Sequence, residues 1–125
     1  MNNTAKKILI IDDDAGVRFT LKKILVSAGY EVLEAPDGRR GIELFCHARP
    51  DLVITDIIMP EAEGLEVIRD LRARNRACPV IAISGGGRID KDQLLTWATK
   101  FGATVTLAKP FTAQALSDAV ARCLS

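Results

Sequence analysis

Two hydrophobic patterns take turns along this chain: short unbroken apolar runs, and longer segments in which apolar residues recur every three or four positions. Ile8–Ile11 is a continuous β-branched and aliphatic run, as expected of a strand covered on both faces, Leu52–Thr55 reads as a second buried strand, and Val80–Ile83 and Val105–Ala108 read as further strands. Tyr30–Glu34 reads as a further short strand.

Between these runs the period changes to that of a helix. Val17, Leu21, Ile24, Leu25 and Ala28 line one face, with Gly29 placed for a left-handed cap. Asp37 can cap a second helix carrying Ile42, Leu44 and Phe45, although Gly41 weakens it slightly. Leu65, Ile68 and Leu71 form a third face; Leu94, Leu95, Ala98 and Phe101 a fourth. The segment Thr112–Leu124, with Ala115, Leu116, Ala119, Val120 and Cys123 on one side, closes the chain as an amphipathic helix.

Strict alternation of apolar strands with helices implies right-handed crossovers and a parallel sheet with helices on both faces. The chain is therefore expected to be an α/β, doubly wound, five-stranded parallel sheet with five helices, a single domain over residues 1–125. A core of ordinary size is available, since 48% of the residues are apolar and 26% charged. The loosest stretch runs from Ser84 to Asp92, where Gly85–Gly87 follow one another, and it is expected to be a mobile loop.

Charge removes some function classes. Seventeen basic and sixteen acidic residues leave a formal charge of +1, so no long-range field would draw the domain to nucleic acid or to a membrane. Cys46, Cys78 and Cys123 are odd in number and lack a Cys-x-x-Cys spacing, which argues against a disulfide framework or a zinc cluster. With a polar start unlike a signal peptide and no apolar stretch near the ~20 residues that span a bilayer, a cytoplasmic location is expected.

Open α/β sheets bind ligands beyond the carboxyl ends of their strands, and here those ends carry chemistry. The first strand ends in Asp12 and Asp13, the third in Asp56, the fourth in Ser84 and the fifth in Lys109. A flavodoxin-like strand order, 2-1-3-4-5, would bring them into one crevice. Clustered carboxylates repel one another unless they hold protons or a cation, and hard oxygen ligands favour magnesium. An ionised Asp56 could then attack a phosphoryl group in line, with Lys109 as a second positive charge and Ser84 as a hydroxyl donor. The acidic run Asp12–Asp14 also suits a turn or a helix cap, and the lysine and serine taken singly suit a loop and a cap. The joint pattern is the specific one.

Ile-Ile-Asp-Asp-Asp, Thr-Asp-Ile-Ile-Met-Pro with a later Gly64, Ile-Ser-Gly and Ala-Lys-Pro-Phe occur in that order over essentially the whole chain, which resembles the receiver domains of bacterial two-component response regulators. The resemblance implies a phosphorylation-dependent switch with Asp56 as phospho-acceptor. Magnesium would be held by Asp13, Asp56 and the backbone carbonyl of Ile58, with Asp12 acting through a metal-bound water. Lys109 would contact the phosphoryl group, its bond to Pro110 being cis, and Ser84 would swing toward the phosphoryl oxygen. The donor would be a sensor histidine kinase or a histidine phosphotransfer protein, and the output a protein target met through the face of helix 4, strand 5 and helix 5. Phosphorylation and slow autodephosphorylation would be self-catalysed without the domain being an ordinary enzyme, because apolar Ile58 offers no group to orient a water.

The chain departs from the family pattern at Thr106, where an aromatic residue usually completes the switch, and in the glycines after Ser84. Movement of the Gly85–Gly87 loop is expected to replace the aromatic rotamer change. Thr106 alone favours a pseudo-receiver scaffold. A haloacid-dehalogenase-type phosphohydrolase would need a second aspartate where Ile58 stands, and a flavodoxin-like cofactor site would not put three carboxylates against a phosphate. His47 and Trp97 read as a surface histidine of the second helix and a packing residue of the fourth.

Overall fold

Successive strand residues point to opposite faces, and the central strands carry apolar side chains toward both. In the computed structural model, which describes residues 5–57, 63–84, 96 and 99–125, that property separates two cores. Leu9, Ile11, Val53, Val80 and Ala82 face one side and pack with Phe45, Val67, Ile68 and Leu71. Ile8, Ile10, Leu52, Ile54, Ile81 and Ile83 face the other and pack with Leu21, Leu25, Leu116 and Val120.

The elements run β1 (Lys7–Ile11), α1 (Ala15–Ser27), β2 (Glu31–Ala35), α2 (Gly38–Ala48), β3 (Leu52–Asp56), α3 (Glu63–Arg74), β4 (Val80–Ser84), α4 (described at residues 96 and 99–101), β5 (Val105–Ala108) and α5 (Ala113–Leu124). All strand pairs are parallel, in the order β2-β1-β3-β4-β5. This is the doubly wound, flavodoxin-like arrangement expected from the alternation of strands and helices. Ile58, Gly85–Gly87, Leu94, Leu95, Trp97 and Ala98 lie outside the described residues, so the readings placed on them do too. Among the described residues no helix is long and apolar enough to cross a membrane.

Side-chain caps fix where the helices start. Asp14 Oδ1 accepts the Gly16 and Val17 amides at 2.8 and 3.2 Å, Asp37 the Arg40 amide at 2.8 Å, and Thr112 the Ala115 amide at 3.0 Å. Gly29, at φ +95°, takes the left-handed turn that leads α1 into β2. Strand ends differ from the sequence expectation by one residue. β2 runs Glu31–Ala35 rather than from Tyr30 to Glu34, because Glu34 is half-buried against basic α1 and fully buried Ala35 continues the pairing. β3 and β4 extend to Asp56 and Ser84, whose backbones stay in the sheet although their side chains are polar.

Candidate functional site

Register puts the polar strand ends at one level. Ile11 pairs with Thr55, so Asp12 and Asp56 follow side by side on β1 and β3, at the point where the strand order reverses. Asp56 pairs with Ile83, so Ser84 stands one step beyond on β4. The Lys109 amide donates to the Ser84 carbonyl at 2.7 Å, which carries the end of β5 into the same crevice. The Lys109–Pro110 bond is cis, as the resemblance implies.

Ligand oxygens of Asp12, Asp13 and Asp56 all lie within 4.8 Å of one another. Asp12 and Asp56 are 1% and 6% exposed, whereas Asp13 is open to solvent. Lys109 Nζ reaches Asp56 Oδ2 at 3.4 Å and Asp12 Oδ2 at 3.9 Å. Asp12 Oδ1 accepts the Asp14 amide at 2.9 Å, while Asp12 Oδ2 is buried with no hydrogen-bond donor among the described residues. Ser84 Oγ is likewise buried and without a hydrogen-bond partner among the described residues.

The Asp12 carboxyl is raised from 3.8 to about 6. Burial is the main cause. The Asp14 amide opposes it, the neighbouring Asp56 adds to it, Lys109 opposes, and Asp13 contributes last. Three carboxylates therefore face one ammonium with an orphaned buried oxygen among them, and this donor set fits a hard divalent cation whose remaining positions are filled by water. It is compatible with magnesium.

The acidic run thus divides. Asp14 is a helix cap, and Asp12 and Asp13 belong to the crevice with Asp56, Ser84 and Lys109. Thr106 sits half-buried on β5, paired with Ala82. His47 is exposed in the last turn of α2, at the opposite end of the sheet, with Nδ1 at 2.8 Å from the Glu43 carbonyl oxygen. Sequence reasoning missed Arg18, which bridges the Asp12 carbonyl to Glu34. Its place on α1 is helical and basic, and nothing in the spacing separates it from an ordinary surface arginine.

Residues 8–121 match the model of the response regulator receiver domain. The chain is 30% identical over 119 residues to the sporulation initiation phosphotransferase F of Bacillus subtilis, covering 95% of this chain and 94% of that protein. It is 37% identical over 107 residues to the chemotaxis protein CheY of Thermotoga maritima, covering 85% and 87%. A solved receiver domain from Clostridium thermocellum superposes with a TM-score of 0.87 at 34% identity, over 95% of this chain and 94% of that one. With the sheet order, the acidic crevice and these similarities in agreement, the chain belongs to the receiver domains of two-component response regulators.

Proposed function

We propose that this chain is a single receiver domain over residues 1–125 that takes a phosphoryl group onto Asp56. The observation that carries this reading is the position of Asp56: a nearly buried carboxylate at a strand end, 3.4 Å from Lys109 and clustered with Asp12 and Asp13. A carboxylate oxygen of Asp56 attacks phosphorus, the bond from phosphorus to the donor's histidine nitrogen breaks, and the imidazole leaves with that electron pair and picks up a proton. Asp13, Asp56 and the Ile58 carbonyl, with Asp12 through water, would hold magnesium, which supplies charge neutralisation at the phosphoryl oxygens.

Lys109 balances the negative charge that arrives, and the Ser84 hydroxyl is a donor in need of an acceptor. The donor is a sensor histidine kinase or histidine phosphotransfer protein in the cytoplasm. A groove of about 890 Å³ beside Lys109, lined by Val17, Leu21, Ile24 and Phe111, gives such a protein an apolar surface next to the acceptor. Output passes to a protein target through the face of α4, β5 and α5, on which Thr106 stands where an aromatic is usual.

Incubation with magnesium and acetyl phosphate should add the mass of one phosphoryl group to the wild type and none to Asp56→Asn. An adduct of equal yield on both, or on neither, overturns the assignment. Once formed, the adduct is lost slowly, because Ile58 cannot orient a water; decay within seconds of donor removal contradicts this.

A further inference from the structure

We propose that Arg18 is a positioning residue of the acidic centre, fixing the direction of the Asp12 carboxylate from outside the crevice. The inference rests on the reading of that centre as a magnesium and phosphoryl site.

Arg18 Nη1 donates to the Asp12 main-chain carbonyl at 2.7 Å, and its Nε donates to Glu34 Oε1 at 3.3 Å. Glu34 is on β2 and is also held by Lys22 Nζ at 3.4 Å. The Asp12 amide donates to the Ala35 carbonyl, again on β2, at 3.1 Å. Asp12 is therefore tied to β2 twice, directly through its N–H and through Arg18 and Glu34 at its carbonyl. With Oδ1 taken by the Asp14 amide, Oδ2 has no donor among the described residues and lies buried, 3.9 Å from the Lys109 ammonium.

An exposed ion pair of Arg18 with Glu34 would matter little by itself. Here the guanidinium is 17% exposed, and its second donor is spent on the peptide that carries the site residue. A planar fork can hold both acceptors at fixed angles, which an ammonium cannot. Groups that orient a metal ligand without touching the metal typically change its affinity by about 10- to 100-fold when removed. The same range is expected for Arg18.

Magnesium is titrated into wild type, Arg18→Ala, Glu34→Gln and the double variant, following the Asp13 and Asp14 amide resonances, on samples shown by urea melts to be fully folded. Arg18→Ala should weaken magnesium binding about 10- to 100-fold. Glu34→Gln should weaken it less, and add nothing in the Arg18→Ala background. Val26→Ala, exposed on the same helix, should bind as wild type does. Wild-type affinity in Arg18→Ala, or a loss that merely tracks its unfolded fraction, overturns the inference alone. A wild-type chain that takes up no magnesium overturns the site reading and this inference together. Should Arg18→Ala not fold, Arg18→Lys keeps the charge but not the fork, and unaltered magnesium affinity in that variant overturns the inference.

Discussion

Asp12→Asn should stabilise the metal-free domain near neutral pH while removing its response to magnesium. A carboxyl whose pKa rises from 3.8 to about 6 on folding opposes its own ionised form by about 3 kcal/mol once the pH is well above both values. Asparagine keeps the Oδ1 acceptor for the Asp14 amide but places a buried amide near the Lys109 ammonium, which returns about 1 kcal/mol or more. The net gain expected is about 1–2 kcal/mol at about pH 7.5, or about 4–8 °C in melting temperature for a chain of this length. The sign follows from proton counting. Between 3.8 and about 6 the native wild type binds more protons than the unfolded chain, so its stability falls as pH rises through that window. The variant has no such loss, and its advantage should shrink by about 1.4 kcal/mol on going to about pH 5, most of the net gain. Urea melts of both proteins with EDTA at the two pH values measure this. Magnesium at about 100 times its dissociation constant should then add about 2.7 kcal/mol to the wild type and much less to the variant. A variant no more stable than wild type at neutral pH, or a gap that does not change with pH, would refute the account of a buried, cation-seeking carboxylate.

Three further substitutions test the frame around the site. Gly41→Ala would bring a Cβ to 2.5 and 2.8 Å from Ile11 Cδ1 and Cγ1; despite better helix propensity it should cost about 1–3 kcal/mol in urea melts. Arg72→Ala removes donors from the Cys78 and Gly102 carbonyls, bonded at 2.6 and 2.7 Å, and should lower stability by about 2–4 kcal/mol while leaving magnesium affinity unchanged by NMR titration. Lys109→Ala should slow phosphoryl uptake from acetyl phosphate by at least about tenfold, read by intact mass, and push the Asp12 carboxyl further up because a favourable charge is lost.

What the sequence disclosed follows from which interactions are periodic. Strand and helix order was legible because Ile8–Ile11 and Leu52–Thr55 must be buried on both faces and Leu21 and Leu25 on one. The site was legible because a parallel sheet brings the ends of β1, β3, β4 and β5 to one edge, so Asp12, Asp56, Ser84 and Lys109 needed only their strand-end positions to be associated. Gly41 was read as a flaw in a helix, but its role is contact: α2 lies so close to β1 that Ile11 occupies the space a side chain would need. The strands ran past their last apolar residue for a similar reason, since backbone pairing does not stop where polarity begins. Arg18 and Arg72 could not be singled out, because an arginine whose partners are main-chain carbonyls of distant segments leaves no mark in the local pattern.

The crevice is mechanically uneven, and the unevenness follows from the sheet. Asp12 and Asp56 continue β1 and β3, which have neighbours on both sides, and every residue of β3 is buried. Lys109 continues β5, an edge strand that among the described residues pairs with β4 alone and is half-buried throughout. Segments with fewer buried apolar contacts and a free edge open at lower free energy than central strands. Asp12 and Asp56 are thus fixed by the core, while the positive group is carried by an edge strand. On the proposed function, a dianionic group arriving at Asp56 would be felt more by Lys109 and β5 than by β1 or β3, and Thr106, on β5, would lie on the path by which that displacement reaches the surface.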